Sequence, residues 1–302
     1  MVFACDSWDT ALVAHAANHP TAQHRRAQLP CASLPFPTDG RRFHVHGSPP
    51  CTMFSSARTK EATSNELGRA TDLVEWYLET ALLSGATSWS MEQVPARPVL
   101  DIVERVRRAH RARMDYGVFN LYDLGVPQRR KRLIAGSPAL VARLKRLVCH
   151  SRRRSVRDVL PQVRGTHIKS CKRWIRKDLR PNRQPGESKY VYTKTTDPFF
   201  DSHSVDGPGP VVTCSGSMQW VNKNLPKTQA LQQLFVNEFK ALQTFPENYR
   251  LPRDRKAAYR LLGNAVPPLV ARLMMGGAAR PALASPSLAR PTPAPVWPQS
   301  KR

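Results

Sequence analysis

Short apolar segments of strand length alternate with amphipathic helical patterns in the first half of the chain, and this alternation most restricts the fold. Phe43–Val45 is typical of a strand, and Arg69–Leu83 carries apolar residues at helical spacing. A second helix is predicted at Val99–Arg111, between a short strand at Trp89–Met91 and a strand at Tyr116–Leu121. This pattern predicts an α/β fold with a largely parallel sheet, in which functional side chains lie at the carboxyl ends of strands.

The ends of the chain add further elements. Met1–Cys5 is short, apolar and compatible with a strand, and it is followed at once by Asp6. The remaining predictions are a strand at Arg132–Gly136 and helices at Trp8–Ala17, Thr228–Gln243, Lys256–Leu262 and Val266–Met275. Asp6, Cys51 and Glu92 all come at predicted strand ends, which favours a functional site there.

A Pro-Pro turn follows the strand-like stretch Phe43-His44-Val45-His46, in the segment Gly47-Ser48-Pro49-Pro50-Cys51. The two prolines fix φ and lack backbone donors, so this loop is expected to project from the sheet. A thiol held on such a turn suits a nucleophile that must attack an unreactive carbon. The alternative interpretation is a proline turn that ends in a small apolar residue.

The charge of the chain indicates a polyanionic partner. Its 302 residues carry a formal net charge of +25, with an isoelectric point near 10.7. Neutralisation of phosphates by such a surplus favours nucleic acid, although a composition that is merely rich in arginine would look the same. Residues 151–206 combine many Lys and Arg side chains with Trp174, Tyr190 and Tyr192. This mixture suits a surface that binds phosphates and stacks bases, and the alternative is a solvated basic loop region.

Several classes of protein are excluded by composition. The six cysteines show no Cys-x-x-Cys or His-paired spacing, which argues against a zinc site and a disulfide scaffold, so no metal is predicted. No apolar run reaches membrane-spanning length, and the N-terminus lacks the pattern of a signal peptide. We therefore expect a soluble, intracellular protein with reduced thiols, in a compartment that is either cytoplasmic or nuclear.

Short motifs occur along the chain in a fixed order. They are Gly47-Ser48-Pro49-Pro50-Cys51, Glu92-Gln93-Val94, Gln128-Arg129-Arg130-Lys131-Arg132, the run from Glu238 to Leu242-Gln243-Thr244-Phe245-Pro246, and Gly263-Asn264-Ala265-Val266-Pro267-Pro268. This series resembles the C5-cytosine DNA methyltransferase family over most of residues 1–275. The Gln-x-Arg-x-Arg and Gly-Asn-Ala-Val-Pro elements are the most specific of the series.

The resemblance implies a catalytic pocket. The family's cysteine adds to C6 of cytosine, and Cys51 holds that position. Glu92 matches the glutamate that hydrogen-bonds N3 and the exocyclic amine of the base. Arg130 and Arg132 match paired arginines that line the pocket, one near the base O2 and the other near the phosphate or the thiol. The implied substrate-binding residues are Pro50, Ser55 and Gln128.

The resemblance also implies that S-adenosylmethionine supplies a methyl group to C5 of a cytosine flipped out of the duplex. Asp6 follows a strand where an acidic side chain would hold the ribose hydroxyls, and Trp8 would cover the adenine. Asn264 and Val266 match the terminal motif that returns to the cofactor pocket. Trp8 as a core residue at a helix start, and Asn264 as the cap of a helix beginning near Ala265, are the alternatives.

The chain departs from the family pattern at its start. The family begins with a glycine-rich strand, loop and helix, and here nothing precedes Met1-Val2-Phe3-Ala4. We therefore expect a Rossmann-like methyltransferase sheet that lacks its first strand and glycine-rich loop, in an N-terminally truncated chain, with a smaller basic target-recognition domain. Thr52 replaces the usual glutamine after the nucleophile. Gln93 replaces an asparagine and keeps an amide that can brace a loop.

The expected domain organisation follows from these motifs. It consists of a catalytic and cofactor-binding domain at 1–150, a target-recognition domain at 151–227, helices that return to the catalytic domain at 228–279, and a disordered tail at 280–302. The function that the resemblance implies is methylation of cytosine C5 in double-stranded DNA by a monomer. A DNA-binding relic without activity, and a methyltransferase that acts on structured RNA, are the alternatives. Host defence, modification beside a restriction nuclease and viral self-marking all remain open as biological roles.

Overall fold

The computed structural model describes residues 3–30, 34–54, 63–160, 162–170, 174–176, 190–192, 202–226 and 229–276. The strands are β1 (Phe3–Asp6), β2 (Gln23–Arg26), β3 (His44–Gly47), β4 (Ser88–Gln93), β5 (Asp115–Asn120), β6 (Lys131–Gly136), β7 (His167–Ser170), β8 (Trp174–Arg176), β9 (Tyr190–Tyr192), β10 (His203–Ser204), β11 (Met218–Val221) and β12 (Leu231–Gln233). The helices are α1 (Asp9–Asn18), α2 (Ser64–Leu83), α3 (Arg97–Ala109), α4 (Pro138–His150), α5 (Val236–Leu242), α6 (Arg255–Asn264) and α7 (Pro268–Met274), with a 3₁₀ turn at Leu121–Leu124. This is a mixed α/β fold, as the alternation of patterns predicts.

The central sheet has the strand order β3-β4-β6-β5, and it is not largely parallel. Only β3 and β4 run parallel, while β6 is antiparallel to both β4 and β5. The sequence-based prediction is wrong here because the connection from β5 to β6 holds only a 3₁₀ turn, and parallel neighbours need a longer crossover.

A second, two-stranded sheet pairs β1 with β2 in parallel. Among the strands that the structure describes, none pairs with both β1 and β3, so the two sheets are separate. The absence of a first family strand stays a prediction.

Helices cover both faces of the central sheet. Side chains alternate along β4, so that Trp89 and Met91 pack with α2 and α3 in one core. On the opposite face, Ile134 of β6 packs with α4, α7 and the 3₁₀ turn in another core. Glu92 lies opposite Ile134 in the strand register, so its side chain belongs to this second face.

Helix α2 begins at Ser64 rather than at Arg69, because a capping box precedes it. The backbone N–H of Glu66 donates to Thr63 Oγ1 at 3.2 Å, and the N–H of Thr63 donates to Glu66 Oε2 at 2.9 Å. These bonds satisfy amides that have no partner within the helix, and so extend it by more than a turn.

The predicted helix Thr228–Gln243 is wrong in its first half. Leu231–Gln233 forms β12, which pairs antiparallel with Met218–Val221, and the helix starts only at Val236. Pairing with β11 overrides the local helical preference of this segment. The helix then begins where Glu238 Oε2 accepts from the N–H of Phe235 at 2.6 Å.

An antiparallel sheet of order β10-β7-β11-β12 forms the second lobe. Its core joins Ile168 and Trp220 to Phe239 and Tyr259, which lie beyond the expected boundary at residue 227. The domain boundaries stay a prediction, and the tail 280–302 lies outside the described residues. Trp174, Tyr190 and Tyr192 belong to β8 and β9, of whose side chains nothing is described. No helix in the described ranges has the length and apolarity needed to cross a bilayer.

Three histidines cluster at the edge of the small sheet. His15 Nδ1 and His24 Nε2 are 2.8 Å apart, and the rings of His15 and His19 lie 4.5 Å apart. Burial, together with the neighbouring imidazoles, lowers the pKa of His15 to about 4 from an ordinary value of 6.5. His15 is therefore neutral in the folded protein near neutral pH.

The histidine cluster predicts a loss of stability in acid. Between about pH 6.5 and about pH 4 the unfolded chain binds more protons at His15 than the folded chain. The free energy of unfolding should therefore be level above this window and fall as the pH drops through it, by less than about 1.4 kcal/mol per pH unit because His15 is only half-buried. Urea denaturation at a series of pH values measures this, and His15→Leu should flatten part of the decline. The exposed His150, changed to Leu, is the control, and an equal flattening by both variants contradicts the prediction.

Candidate functional site

Glu92 and Arg132 form an ion pair at the end of the central sheet. Arg132 Nε lies 2.6 Å from Glu92 Oε1, and the two side chains are 12% and 8% exposed. Ser48 Oγ donates to the other carboxylate oxygen, Oε2, at 3.2 Å. Glu92 is thus fixed from two sides, by strand β6 and by the loop that leads to Cys51.

The loop that carries Cys51 is braced by the sheet. Gln93 Nε2 donates to the carbonyl of Pro49 at 2.8 Å, so the amide at this position does brace the loop. A Cβ on Gly47 would lie 2.2 Å from Cε2 of Tyr77, so only glycine fits where the strand meets the loop. The Tyr77 hydroxyl in turn donates to the carbonyl of Ser90 at 2.9 Å. Pro50 is exposed, and Ser55 lies outside the described residues.

The Cys51 thiol lies within the electrostatic reach of the other predicted catalytic residues. Burial raises its pKa most, the Glu92 carboxylate raises it further, and Arg132 and Arg130 lower it. The net result is a pKa above the ordinary value of a cysteine, so the thiol is mostly protonated at neutral pH in the free protein. The structure therefore brings together Cys51, Glu92, Arg130 and Arg132, and their catalytic roles stay a prediction.

Gln128 is fully buried and joins three segments. Its Nε2 donates to the carbonyl of Leu242 at 3.0 Å and to Gln243 Oε1 at 2.7 Å. Its Oε1 accepts from the N–H of Val212 at 2.9 Å. All polar atoms of this amide are thus used inside the protein, which supports a structural role beside the predicted substrate-binding one.

Arg130 is also buried, and its guanidinium binds backbone carbonyls. Nη1 donates to Val212 at 3.1 Å, and Nη2 donates to Gly263 at 3.0 Å and to Ala265 at 3.4 Å. Its Nε is buried without a hydrogen-bond partner among the described residues. Burial, followed by the charge of Arg132, lowers the pKa of Arg130 to about 10. Arg130 therefore contributes charge to the site while it holds the neighbouring chain segments.

The Gly-Asn-Ala-Val-Pro segment packs tightly against this arrangement. A Cβ on Gly263 would lie 2.3 Å from the backbone nitrogen of Cys214, so the two segments approach too closely for any side chain. The thiol of Cys214 donates to Asn264 Oδ1 at 2.8 Å. Asn264 is the last residue of α6 and the N-cap of α7 is Pro267, so the interpretation of Asn264 as a helix cap is wrong. Val266 packs with the core around Ile134.

A cavity of about 190 Å³ lies between β1, α1 and α6. Its lining includes Asp6, Leu12, His15 and Ala265. The cavity therefore lies between the end of β1 and the Gly-Asn-Ala-Val-Pro segment. Asp6 is exposed, and its Oδ1 accepts from the N–H of Trp8 at 2.8 Å. The carboxylate and the mainly apolar lining fit the adenosine end of S-adenosylmethionine. The volume is smaller than the roughly 300 Å³ of a typical site for a whole ligand of that size.

The indole ring of Trp8 contacts a cationic side chain, a contact that the sequence does not predict. The guanidinium of Arg260 lies 4.3 Å from the centre of its ring, so one face of the indole is covered by a cation. No group of three or more potential ligands in the described ranges is arranged to hold a metal ion.

The comparisons with known proteins agree with this geometry. A model of the C-5 cytosine-specific DNA methylase family matches residues 112–277, more than half of the chain. The chain belongs to this family. No curated protein sequence matches it. The family match includes Gln128, Arg130, Arg132, Asn264 and Val266, but Cys51 and Glu92 precede it, so their assignment depends on their positions in the structure.

Solved methyltransferase structures share the fold of this family member. A protein described as a DNA modification methyltransferase encoded within an E. coli prophage has a TM-score of 0.58 at 16% identity, with 91% of this chain and 90% of that chain covered. The S. pombe Dnmt2 methyltransferase gives 0.56 at 14% identity, covering 91% and 89%. A methyltransferase from Entamoeba histolytica gives 0.54 at 14% identity, covering 90% and 88%.

Sequence reasoning missed several residues of this methylase site. Ser48 was considered only as part of the turn, yet it donates to Glu92. Gln243 receives no role in the sequence analysis beyond its place in a motif, yet its Oε1 accepts a hydrogen bond from Gln128. Cys214 was one of several scattered cysteines, and no local signal indicated its proximity to Asn264. Ser48 and Gln243 could have been found from the sequence, because each is a polar residue inside a recognisable motif.

Replacement of Gln128 should destabilise the methylase fold strongly. Gln128→Ala leaves the buried N–H of Val212 and the amide of Gln243 without their partner, which should reduce the free energy of unfolding by about 2–4 kcal/mol. Urea denaturation followed by the fluorescence of the buried Trp220 measures this. The exposed Gln162→Ala is the matched control. A double variant with Gln243→Ala should lose less than the sum of the two single losses, and full additivity would contradict the contact.

The charges around Cys51 should control its reactivity in opposite directions. Glu92→Gln removes a charge that raises the pKa of the thiol, so alkylation of Cys51 by iodoacetamide near neutral pH should become faster. Arg132→Leu removes a charge that lowers the pKa, so alkylation should become slower. Mass spectrometry of the labelled peptides gives both rates, with the exposed Cys149 as the reference inside each sample. Changes of the same sign in both variants would show that access, not charge, sets the reactivity.

Proposed function

We propose that the chain is a cytosine-5 methyltransferase that acts on double-stranded DNA with Cys51 as its nucleophile. The observation that carries the proposal is the convergence of the Cys51 thiol, the Glu92–Arg132 ion pair and Arg130. These four groups supply a nucleophile, an acid or base for a ring nitrogen, and positive charge, which together form the set that addition to a cytosine ring requires. Membership of the methylase family supports the same reaction.

The reaction proceeds by addition and elimination. The Cys51 thiol first loses its proton to solvent water, and the thiolate then forms a bond to C6 of a flipped-out cytosine. Glu92 meets the ring at N3 and the exocyclic amine as negative charge develops there. Arg132 holds the Glu92 carboxylate in place. S-adenosylmethionine supplies an electrophilic methyl group to C5. Solvent water then takes the C5 proton, and the Cys51 sulfur departs as a thiolate, which restores the aromatic ring.

Exposed basic residues adjoin this site. Along residues 128–132 the side chains alternate, and the inward-facing Gln128, Arg130 and Arg132 are separated by Arg129 and Lys131, which are exposed. Charged groups on this outer side suit contact with the phosphates that flank a flipped base. The surplus of +25 charges in the chain supports the same substrate class.

Asp6 and the cavity beside it are the proposed contacts of the adenosine end of S-adenosylmethionine. The Asp6 carboxylate would accept hydrogen bonds from the ribose hydroxyls, and Trp8 would pack on the adenine. The small volume of the cavity favours a second candidate, a non-catalytic DNA-binding relic of such an enzyme, which keeps the pocket but transfers no methyl group.

Two assays on duplex DNA separate these candidates. Release of tritium from [5-³H]cytosine reports addition at C6, and incorporation of label from S-adenosyl-[methyl-¹⁴C]methionine reports transfer. We expect both, and Cys51→Ala should abolish both, because the Cys51 thiol is the group proposed to form the bond to C6. Cys149→Ala is the matched control, since it removes an exposed thiol elsewhere. Absence of both signals, together with retained binding of duplex DNA, supports the relic, and release that survives Cys51→Ala refutes the nucleophile.

The same tritium-release assay tests whether DNA or RNA is the preferred substrate. Structured RNA labelled at cytosine C5 replaces the duplex DNA, at equal concentration and salt. Higher release from DNA supports the proposal, and higher release from RNA overturns the choice of substrate while it leaves the chemistry intact.

A further inference from the structure

A chain of hydrogen bonds runs along one face of β3 and β4 and ends on Glu92. Its members, in order, are Ser88, His44, Ser90, His46, Ser48 and Glu92. They share a face because the register places His44 opposite Ser88 and His46 opposite Ser90. The other face of the same strands carries Trp89 and Met91 of the apolar core. The reaction proposed above uses only the last member of this chain.

The distances link every member to the next. Ser88 Oγ lies 2.7 Å from His44 Nδ1, and His44 Nε2 lies 2.9 Å from Ser90 Oγ. Ser90 Oγ lies 2.8 Å from His46 Nδ1. His46 Nε2 is 3.5 Å from Ser48 Oγ, and Ser48 Oγ is 3.2 Å from Glu92 Oε2.

The direction of every bond follows from the carboxylate at the end. An ionised Glu92, paired with Arg132, only accepts, so Ser48 must donate to it. The Ser48 oxygen then accepts from Nε2–H of His46, which leaves Nδ1 of that ring bare to accept from the Ser90 hydroxyl. By the same reasoning Ser90 accepts from Nε2–H of His44. All donors therefore point toward Glu92, and both imidazoles are neutral with the proton on Nε2.

The charged surroundings are consistent with neutral rings. Burial, with smaller contributions from His46 and from Arg143 of α4, lowers the pKa of His44 to about 4. The groups that face Glu92 are Arg132 of β6, Arg130 and the Cys51 thiol. Ser90, in the middle of the chain, is fully buried, so water does not replace its hydroxyl in the chain.

We propose that this chain of serine and histidine side chains is a proton relay that protonates Glu92 during addition to cytosine. The proposal rests on the function proposed above. Each member gives one proton to the next and receives one from the member before, and water supplies the proton that Ser88 loses. The carboxylate becomes a carboxylic acid, which gives its proton to N3 as the Cys51–C6 bond forms and the electron pair of the C5–C6 double bond moves into the ring. When the sulfur leaves, N3 returns the proton to Glu92, and the relay carries it back to water, which restores the carboxylate and the original direction of the hydrogen bonds. Ser48, His46, Ser90 and His44 are positioning residues in this step, since none of them touches the base.

Breaking the relay in its middle tests it. Ser90→Ala separates His44 from His46 and leaves the Ser48–Glu92 contact in place. Tritium release from [5-³H]cytosine DNA should slow about tenfold, with an unchanged KM for DNA and a smaller solvent deuterium isotope effect. Ser90→Thr keeps a hydroxyl at this position and should restore the rate.

The matched control is Ser137→Ala. It removes a hydroxyl that accepts from the N–H of Trp89 at 3.0 Å, a bond to the same strand but outside the relay. The rate should not change in this variant. A loss in Ser137→Ala equal to that in Ser90→Ala would show a structural effect on β4 and would overturn the relay.

A second readout does not depend on activity. Nitrogen-15 NMR of the histidine rings in the intact protein should show both His44 and His46 as neutral Nε2–H tautomers. A ring found with its proton on Nδ1 overturns the proposed direction. If the unaltered protein releases no tritium, the proposed function fails and the relay fails with it. Release that Ser90→Ala does not slow overturns the relay alone.

Discussion

The burial of two polar side chains on one short segment is the constraint on which the rest of the structure depends. Gln128 and Arg130 are buried, and a buried amide or guanidinium is costly unless its polar atoms find partners. Those partners are backbone groups of Val212, Leu242 and the Gly263–Ala265 segment, which come from distant parts of the chain. The second lobe and the final helices are therefore tied to the strand that carries Arg132. This explains why the central sheet and the second lobe meet at the site.

The alternation of side chains along this segment joins stability to chemistry. Its inward residues make the ties, Arg132 at its end fixes the Glu92 carboxylate, and the outward residues Arg129 and Lys131 are exposed beside the site. A shift of register by one residue would bury the exposed charges and expose the amide. The buried contacts and the position of Arg132 thus depend on the same alternation, so a change in one also changes the other. The family match covers this segment and its partners and begins after Cys51.

Much of this could be predicted from sequence, and the failures have physical causes. Helical spacing located α3, and the order of short motifs predicted that Cys51, Glu92 and Arg132 would meet. Strand direction was not predictable from the apolar pattern, because β6 is inserted between β4 and β5 only in three dimensions. Strand β12 was predicted as helix because its pairing partner lies in a different segment. The ties of Arg130 to backbone carbonyls were equally invisible, since any residue type can supply a carbonyl.

Glu92 influences both the acid that acts at N3 and the nucleophile that attacks C6 in the proposed reaction. As a carboxylate it raises the pKa of the Cys51 thiol, against the opposing effect of Arg132 and Arg130. A proton that reaches Glu92 removes this negative charge and leaves both guanidinium groups in place, so the thiolate becomes more favourable at the same moment. The acid needed at N3 and the nucleophile needed at C6 are then produced by one event. In the free protein the Glu92 carboxylate is paired with Arg132, and the raised pKa of the Cys51 thiol makes this thiol less reactive toward oxidants and alkylating agents.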